Sequence, residues 1–258
     1  MAGAPRAMVL AAGLGLRMRP LTETIPKPLI SVAGRTLLDR ALDRLEEAGV
    51  EEVVVNVHHL GTQIERHLQN RHLQNRHLQD RHLQDWQRLR CVVSFEPERL
   101  ETGGGVARAL PLLGANAFFV VNSDIILLNG PRPALINIAA AWDETKMDAL
   151  LLLHRIVSAP EYEGRGDFFM GQRGRLRRRV DPHHAPYLFT GVQMLHPRLF
   201  SRAPEGAFSL NVLYDRAIAA GRLYGLVHDG QWFHVGRPRH IDAVAACLSP
   251  QCQSVPLI

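Results

Sequence analysis

Apolar and polar positions follow two rhythms along the first part of the chain. Arg6 to Leu10 is a short apolar run that reads as a strand and feeds a loop, Ala11 to Pro20, containing Gly13 and Gly15. From Thr36 onward, Leu37, Leu38, Ala41, Leu42, Leu45 and Ala48 recur at helical spacing, and Gly49 stands where a helix would stop. Glu52 to Val57 is rich in β-branched residues and reads as the next strand. Cys91 to Phe95 and Ala117 to Val121 give two more, with a helix from about Gly104 to Leu113 between them. Strands alternating with helices predict a mostly parallel sheet covered by helices, with ligands gathering beyond the carboxyl ends of the strands. The loops after Leu10 and Val121 should therefore be neighbours.

Beyond Ala149 the strand-like runs crowd together: Ala149 to His154, Phe168 to Met170, Leu176 to Val180, Tyr187 to Leu195, Leu223 to Val227 and Gln231 to Val235. Helices are predicted there only over Asn211 to Ala220 and Pro238 to Leu248. No Pro/Ser-rich linker intervenes, so the expectation is a single domain over 1–258 with halves of about 1–130 and 131–258. One segment breaks both rhythms: residues 66–85 are four copies of a five-residue unit, Arg-His-Leu-Gln-Asn/Asp. Positions five apart on a helix differ by about 140° in direction, so Leu68, Leu73, Leu78 and Leu83 form no stripe. The segment reads as a tandem duplication that lengthens a surface helix or loop. The rival reading is a metal- or partner-binding arm using His67, His72, His77 and His82.

Composition narrows the classes. With 46% hydrophobic and 21% charged residues, the chain can bury a core, and disorder as its main state is excluded. Its longest apolar runs, Ala117 to Val121 and Ala149 to Leu153, fall far short of the roughly 20 residues of a membrane-spanning helix. Gly13 and Gly15 interrupt the apolar stretch near the start, so no signal peptide is expected there. Cys91, Cys247 and Cys252 form no Cys-x-x-Cys pair, which fits a reducing compartment and no structural zinc. The expectation is a cytoplasmic protein without a membrane partner. A net charge of +5 spread along the chain gives no footprint for nucleic acid, and the dense run Arg173 to Arg179 reads as a solvated hairpin surface. All but two of the 30 basic residues are arginines, the exceptions being Lys27 and Lys146.

The strongest local signal is Leu10-Ala-Ala-Gly13-Leu-Gly15-Leu-Arg17, placed directly after the first strand. Its glycines allow a sharp turn that aims successive N–H groups at phosphate oxygens, and Arg17 adds a planar donor fork. A Walker A loop would need Gly-Lys-Ser/Thr and a dinucleotide fingerprint a third glycine, and neither is present. The loop does not stand alone. Pro26-Lys27-Pro28 follows it, then Glu101-Thr102-Gly103-Gly104-Gly105 before a helix, and Asn122-Ser123-Asp124 after a strand.

This constellation resembles the bacterial sugar nucleotidyltransferases, over about Ala7 to Leu248. Glu101 to Gly105, Gly164 to Phe168 and Phe189-Thr190-Gly191 point to the short branch typified by N-acetylmuramate 1-phosphate uridylyltransferases, with mannose-1-phosphate guanylyltransferase-like proteins as relatives. The resemblance implies a Rossmann-like α/β nucleotidyltransferase fold with a mixed, mostly parallel central sheet flanked by helices. The implied partners are a nucleoside triphosphate, UTP first, and a sugar 1-phosphate, N-acetylmuramic acid 1-phosphate first. Pyrophosphate would be released, in the recycling of cell-wall sugars. Guanylyl transfer to mannose 1-phosphate and thymidylyl or uridylyl transfer to glucose 1-phosphate are the alternatives. A catalytically weakened nucleotide-binding regulator is the alternative from another class, and either a monomer or a small homo-oligomer is compatible.

Site residues follow by the same resemblance. Ala11, Ala12, Gly13, Gly15 and Arg17 would bind the triphosphate, and Lys27 would place a compact charge on the reacting phosphates. Gly103 and Gly104 would admit the base. Asp124 would ligate Mg2+, and Asp167, Thr190 and Gly191 would lie at the sugar phosphate. Arg17, Lys27 and Asp124 are thus the expected catalytic set. One departure stands out: the family closes its metal site with Trp-x-Asp-x-Gly, and here the stretch is Trp232-Phe233-His234-Val235-Gly236. A neutral imidazole at His234 brings no negative charge and suits Mn2+ better than Mg2+.

Overall fold

A computed structural model describes residues 5–79, 89–159 and 162–248, with the backbone alone over 74–79. In chain order the elements are β1 (Ala7–Leu10), β2 (Ser31–Val32), β3 (Arg35–Thr36), α1 (Leu37–Glu47), β4 (Glu52–Val57), α2 (Gly61–Gln79), β5 (Arg90–Phe95) and α3 (Glu101–Leu113). They continue with β6 (Phe118–Asn122), β7 (Ile125–Leu128), α4 (Ala134–Ala141), β8 (Ala149–Arg155), β9 (Phe168–Met170), β10 (Leu176–Arg178) and β11 (Tyr187–Leu195). The last are α5 (Asn211–Ala219), β12 (Leu223–Val227), β13 (Gln231–His234) and α6 (Arg239–Cys247).

Local sequence accounts for the first helix in full. The side chain of Thr36 accepts from Asp39 N–H at 3.0 Å as N-cap, and Gly49 at φ +75° ends the turn. Leu37, Leu38, Ala41, Leu42 and Leu45 are buried, each large one stabilising the fold by about 1.5–3 kcal/mol. In β1 and β4 both faces are buried. Val9, Val53 and Val55 pack with α1 and α2, while Met8 and Val54 pack with α3. Two apolar layers thus sandwich one sheet.

That sheet has nine strands, ordered β10-β9-β11-β6-β1-β4-β5, with β8 joined to β11 and β12 to β8. β6, β1, β4 and β5 run parallel. Strand β11 is antiparallel to β6, β8 and β9, so the sheet is more evenly mixed than the rhythm predicts. The chain moves outward from β1 to β4 and β5, then crosses the other face through α3 to enter as β6 on the far side of β1. This reversal opens a crevice at the carboxyl ends of β1 and β6. Their following loops do meet, as Ser123 Oγ donates to Leu10 O at 2.7 Å. Among the described residues no helix is long and apolar enough to cross a membrane.

Four elements escape the sequence reading: the two-residue strands β2 and β3, and β7 and α4. β7 follows β6 after two residues and, among the described residues, pairs only with β13, whose Gln231 lies opposite Leu128; α4 is short and nearly all apolar. The repeat also differs from a solvated excursion. α2 runs into it as far as Gln79, with Leu68 buried and Leu73 exposed, as the five-residue period requires. Its first two units are tied to α1, however. His67 Nε2 lies 3.0 Å from Asp39, and Arg71 bonds Asp39 at 3.0 Å, Asp43 at 2.9 Å and Glu46 at 3.1 Å. The side chains of His77 and His82 lie outside the described residues. Arg71→Ala would leave three carboxylates facing one another, and an expected loss of about 1–3 kcal/mol in urea unfolding follows, moderated by solvent at Asp43. Deleting 76–85 should leave stability nearly unchanged, because the ties to α1 come from His67 and Arg71 and chain length carries only a slowly varying entropy cost.

Candidate active site

The crevice is a cleft of about 580 Å3 whose walls come from the loop after β1, the ends of β4, β5 and β6, and the start of α3. Ala11, Ala12, Gly13, Gly15, Arg17, Lys27 and Asp124 all line it. Gly15 takes a left-handed φ of +63°, and a Cβ there would lie 2.8 Å from Thr22, so this turn requires glycine. Gly13 differs: a Cβ on it would meet nothing within 4 Å, and its side faces open cleft. Arg17 is exposed and has no side-chain partner among the described residues, so its guanidinium is available to an anion.

Lys27 sits in a short 3-10 turn between Pro26 and Pro28, whose rings restrict the backbone and aim the side chain inward. Its side chain is only 12% exposed, and Nζ lies 2.6 Å from Asp124 Oδ2. Asp124 stands in the two-residue turn between β6 and β7. Pairing of β7 with β13 brings His234 opposite Ile125, and His234 Nε2 comes to 3.3 Å from Asp124. The imidazole is stacked on Trp232 with an interplanar angle of 13°. Burial alone would raise the Asp124 pKa, but the hydrogen bond from His234 and the charge of Lys27 outweigh it and hold the carboxyl well below its usual range. Asp124 is thus an anion at any physiological pH.

Several expected contacts fall elsewhere. The glycine triplet lies inside α3 rather than before it. Gly103 N–H and Gly104 N–H both donate to Phe208 O, at 2.8 and 3.2 Å. A Cβ on Gly103 would lie 2.3 Å from the Phe208 ring, and one on Gly104 2.3 Å from Gly206 O. These glycines serve helix-to-loop packing, and the cleft is lined instead by Glu101 and Thr102, with Glu101 at a left-handed φ of +59°. Thr190 is fully buried; its hydroxyl donates to Leu152 O at 2.8 Å and its carbonyl accepts from Trp232 Nε1 at 2.9 Å. Its hydroxyl, which also accepts from Val192 N–H at 3.3 Å, and its carbonyl are thus both engaged within the core. Gly191, at φ +88°, lies in the stretch where the β11 register against β8 slips, and packs against Asn122 on the cleft wall. Asp167 is half-buried and accepts from Phe189 N–H at 2.8 Å, bracing that same strand.

Asn56 and Glu96 line the cleft without having been named from sequence, and Asn122 and Ser123 are named there only as neighbours of Asp124, with no role of their own. Their signal was a polar side chain ending an apolar strand, as in Val53-Val-Val-Asn56 and Phe118-Phe-Val-Val-Asn122.

Residues 7–203 match the MobA-like NTP transferase domain family. The chain is similar to N-acetylmuramate alpha-1-phosphate uridylyltransferase of Caulobacter vibrioides, at 41% identity over 96% of this chain and 99% of that protein. The enzyme of the same name from Neisseria meningitidis serogroup B is 36% identical, over 90% of this chain and 93% of its own. Among solved structures, UDP-glucose pyrophosphorylase from Acinetobacter baumannii shares the fold at a TM-score of 0.75 and 17% identity, over 96% of this chain and 95% of its own. HddC from Yersinia pseudotuberculosis, complexed with GMP-PN, does so at 0.70 and 18%, over 95% of this chain and 100% of its own. The chain therefore belongs to the MobA-like NTP transferases, as an enzyme of the bacterial sugar-1-phosphate nucleotidyltransferase family closely related to N-acetylmuramate 1-phosphate uridylyltransferases.

Proposed function

We propose that the protein transfers the uridylyl group of UTP to N-acetylmuramic acid 1-phosphate, releasing pyrophosphate, in the cytoplasmic recycling of cell-wall sugars. The observation that carries this reading is the 41% identity with the Caulobacter uridylyltransferase over 96% of this chain and 99% of that protein. The first half would cradle the nucleotide and the second the sugar. An oxygen of the sugar phosphate attacks the α-phosphorus in line. The bond from that phosphorus to the bridging oxygen breaks, and pyrophosphate leaves with the electron pair. The attacking oxygen is already an anion, so the protein needs neither a general base nor a covalent nucleophile. Its task is positioning and charge neutralisation between two polyanions. The N–H groups of the glycine loop and Arg17 orient the triphosphate. Lys27 exchanges its ion pair with Asp124 for the phosphates.

Among the described residues no three His, Cys, Asp or Glu side chains converge, so no all-protein metal cage is present. One ionised carboxylate at the cleft fits Mg2+, which typically takes one or two carboxylates together with substrate phosphates and waters. Asp124 would hold it, with His234 beside it, and when bound the ion supplies charge neutralisation at the phosphates.

The testing experiment is pyrophosphate release from UTP, GTP, TTP and CTP, each paired with the 1-phosphates of N-acetylmuramic acid, N-acetylglucosamine, mannose and glucose. UTP with N-acetylmuramic acid 1-phosphate is expected to be fastest. Turnover with GTP and mannose 1-phosphate alone would overturn the uridylyl reading. His234→Ala is expected to lower turnover far less than Asp124→Ala, since an imidazole brings no negative charge to the ion. His234→Asp should lower the Mg2+ concentration needed for half-maximal rate, measured by titration.

A further inference from the structure

Glu96 follows the last residue of β5 and is 1% exposed, an acidic side chain taken almost wholly out of water. Such burial is tolerated only where hydrogen bonds replace the lost hydration. Its two oxygens are both engaged: Oε1 accepts from Asn56 Nδ2 at 2.7 Å, and Oε2 accepts from Leu100 N–H at 3.1 Å. Asn56, 2% exposed, turns its other end to the glycine loop, where Oδ1 accepts from Ala11 N–H at 2.8 Å. A Cβ on Gly105 would lie 2.7 Å from Glu96 Oε1 and 2.9 Å from Asn56 Nδ2, so this third glycine of the triplet leaves room for the pair.

The polarity of this chain of bonds is fixed from outside. At both ends stands a backbone N–H, which can only donate. Asn56 must therefore present its oxygen to Ala11 and its NH2 to Glu96, and residue 96 must accept on both atoms. Two amides in these places would always leave one donor facing another. Ala11 opens the loop that runs to Arg17, and Leu100 opens the turn that carries Glu101 and Thr102 on the other rim of the cleft.

We infer that Glu96, acting through Asn56, is a positioning residue that sets the glycine loop against the Glu101–Thr102 rim and so fixes the seat of the nucleoside triphosphate. The inference rests on the reading of this cleft as the nucleotide site. Because polarity is the requirement, exchanging the two chemistries should preserve function. In Glu96→Gln with Asn56→Asp, the new carboxylate accepts from Ala11 N–H and from Gln NH2, while the Gln oxygen accepts from Leu100 N–H. Charge and size are conserved overall.

The test is a double-mutant cycle on the full chain, reading KM for the preferred nucleoside triphosphate, kcat and melting temperature. Glu96→Gln leaves a donor facing a donor, and Asn56→Asp sets two carboxylates together. Each is expected to raise the nucleotide KM roughly tenfold or more, with a smaller fall in kcat, and the double variant to return KM to within about threefold of wild type. Wild-type KM in the single variants, or a double variant as impaired as the worse single, would overturn the inference. So would recovery of melting temperature without recovery of KM, since the pair would then be structural only. A wild type that turns over none of the four nucleotides would instead overturn the proposed function itself.

Discussion

Asp124→Ala and Lys27→Ala should each lower turnover by roughly 100- to 1,000-fold, the usual cost of removing one preorganised group that stabilises developing charge. The two side chains come from points 97 residues apart in sequence and meet at 2.6 Å in the cleft. They fill different roles, so the variants should fail differently. Without Lys27 the attacking and leaving phosphates lose a desolvated ammonium, and kcat should fall more than nucleotide affinity. Without Asp124 the dependence on Mg2+ should weaken along with the rate. Each change also leaves the partner's charge without its counter-charge in a mostly buried pair, so melting temperatures should fall, and rates are compared well below the transition. The pKa of Asp124 is lowered in the folded state, so its ionisation stabilises the fold above the ordinary carboxylate range. That contribution fades as pH falls through the folded-state value, and protonation of Asp124 should not limit activity between pH 6 and 9. Steady-state rates and thermal melts of the purified variants check both points. Wild-type rates in either variant would remove that residue from the catalytic set.

Gly104→Ala carries the largest expected effect on stability, and its sign separates two accounts. In a helix interior alanine is favoured over glycine by roughly 1 kcal/mol, so local propensity predicts a more stable protein. Packing predicts the reverse. The new Cβ would lie 2.3 Å from the carbonyl oxygen of Gly206, a backbone atom that cannot swing aside. Overpacking of this kind costs typically 1–3 kcal/mol, occasionally more, and the bonds from Gly103 and Gly104 to Phe208 O would stretch with it. The melting temperature should fall by several degrees. A rise would show that the loop over 206–208 yields freely.

The contrast between these two sites explains what the sequence could and could not disclose. Periodicity located most of the strands and helices, because burial on one or two faces leaves a local signature; β11 and β4 match their expected spans, and α1 carries both its cap and its stop. Lys27 and Asp124 stand in short, contiguous motifs, and the cleft brings the two side chains together. The glycine triplet was read as access for a base, since three glycines look alike in sequence while their neighbours, Phe208, Gly206 and the Asn56–Glu96 pair, come from distant loops. Thr190 stands in a motif but points into the core, a consequence of strand pairing on both sides of β11. Glu96, in a stretch reading Glu-Pro-Glu-Arg, has the look of a solvated acid. Only the fold brings Ala11 and Asn56 to it, from 85 and 40 residues away. Arg71 likewise looks like one unit of a repeat until α1 supplies its carboxylates.

The most direct test of the account is the fate of label in UTP carrying 32P at the α-phosphate, incubated with the full-length protein, Mg2+ and N-acetylmuramic acid 1-phosphate. In-line transfer predicts that label moves in one step into a UDP-linked sugar, with unlabelled pyrophosphate released in equal amount and no label retained on the protein. Label that stays in UTP, or that becomes attached to the protein before reaching the sugar, would contradict it.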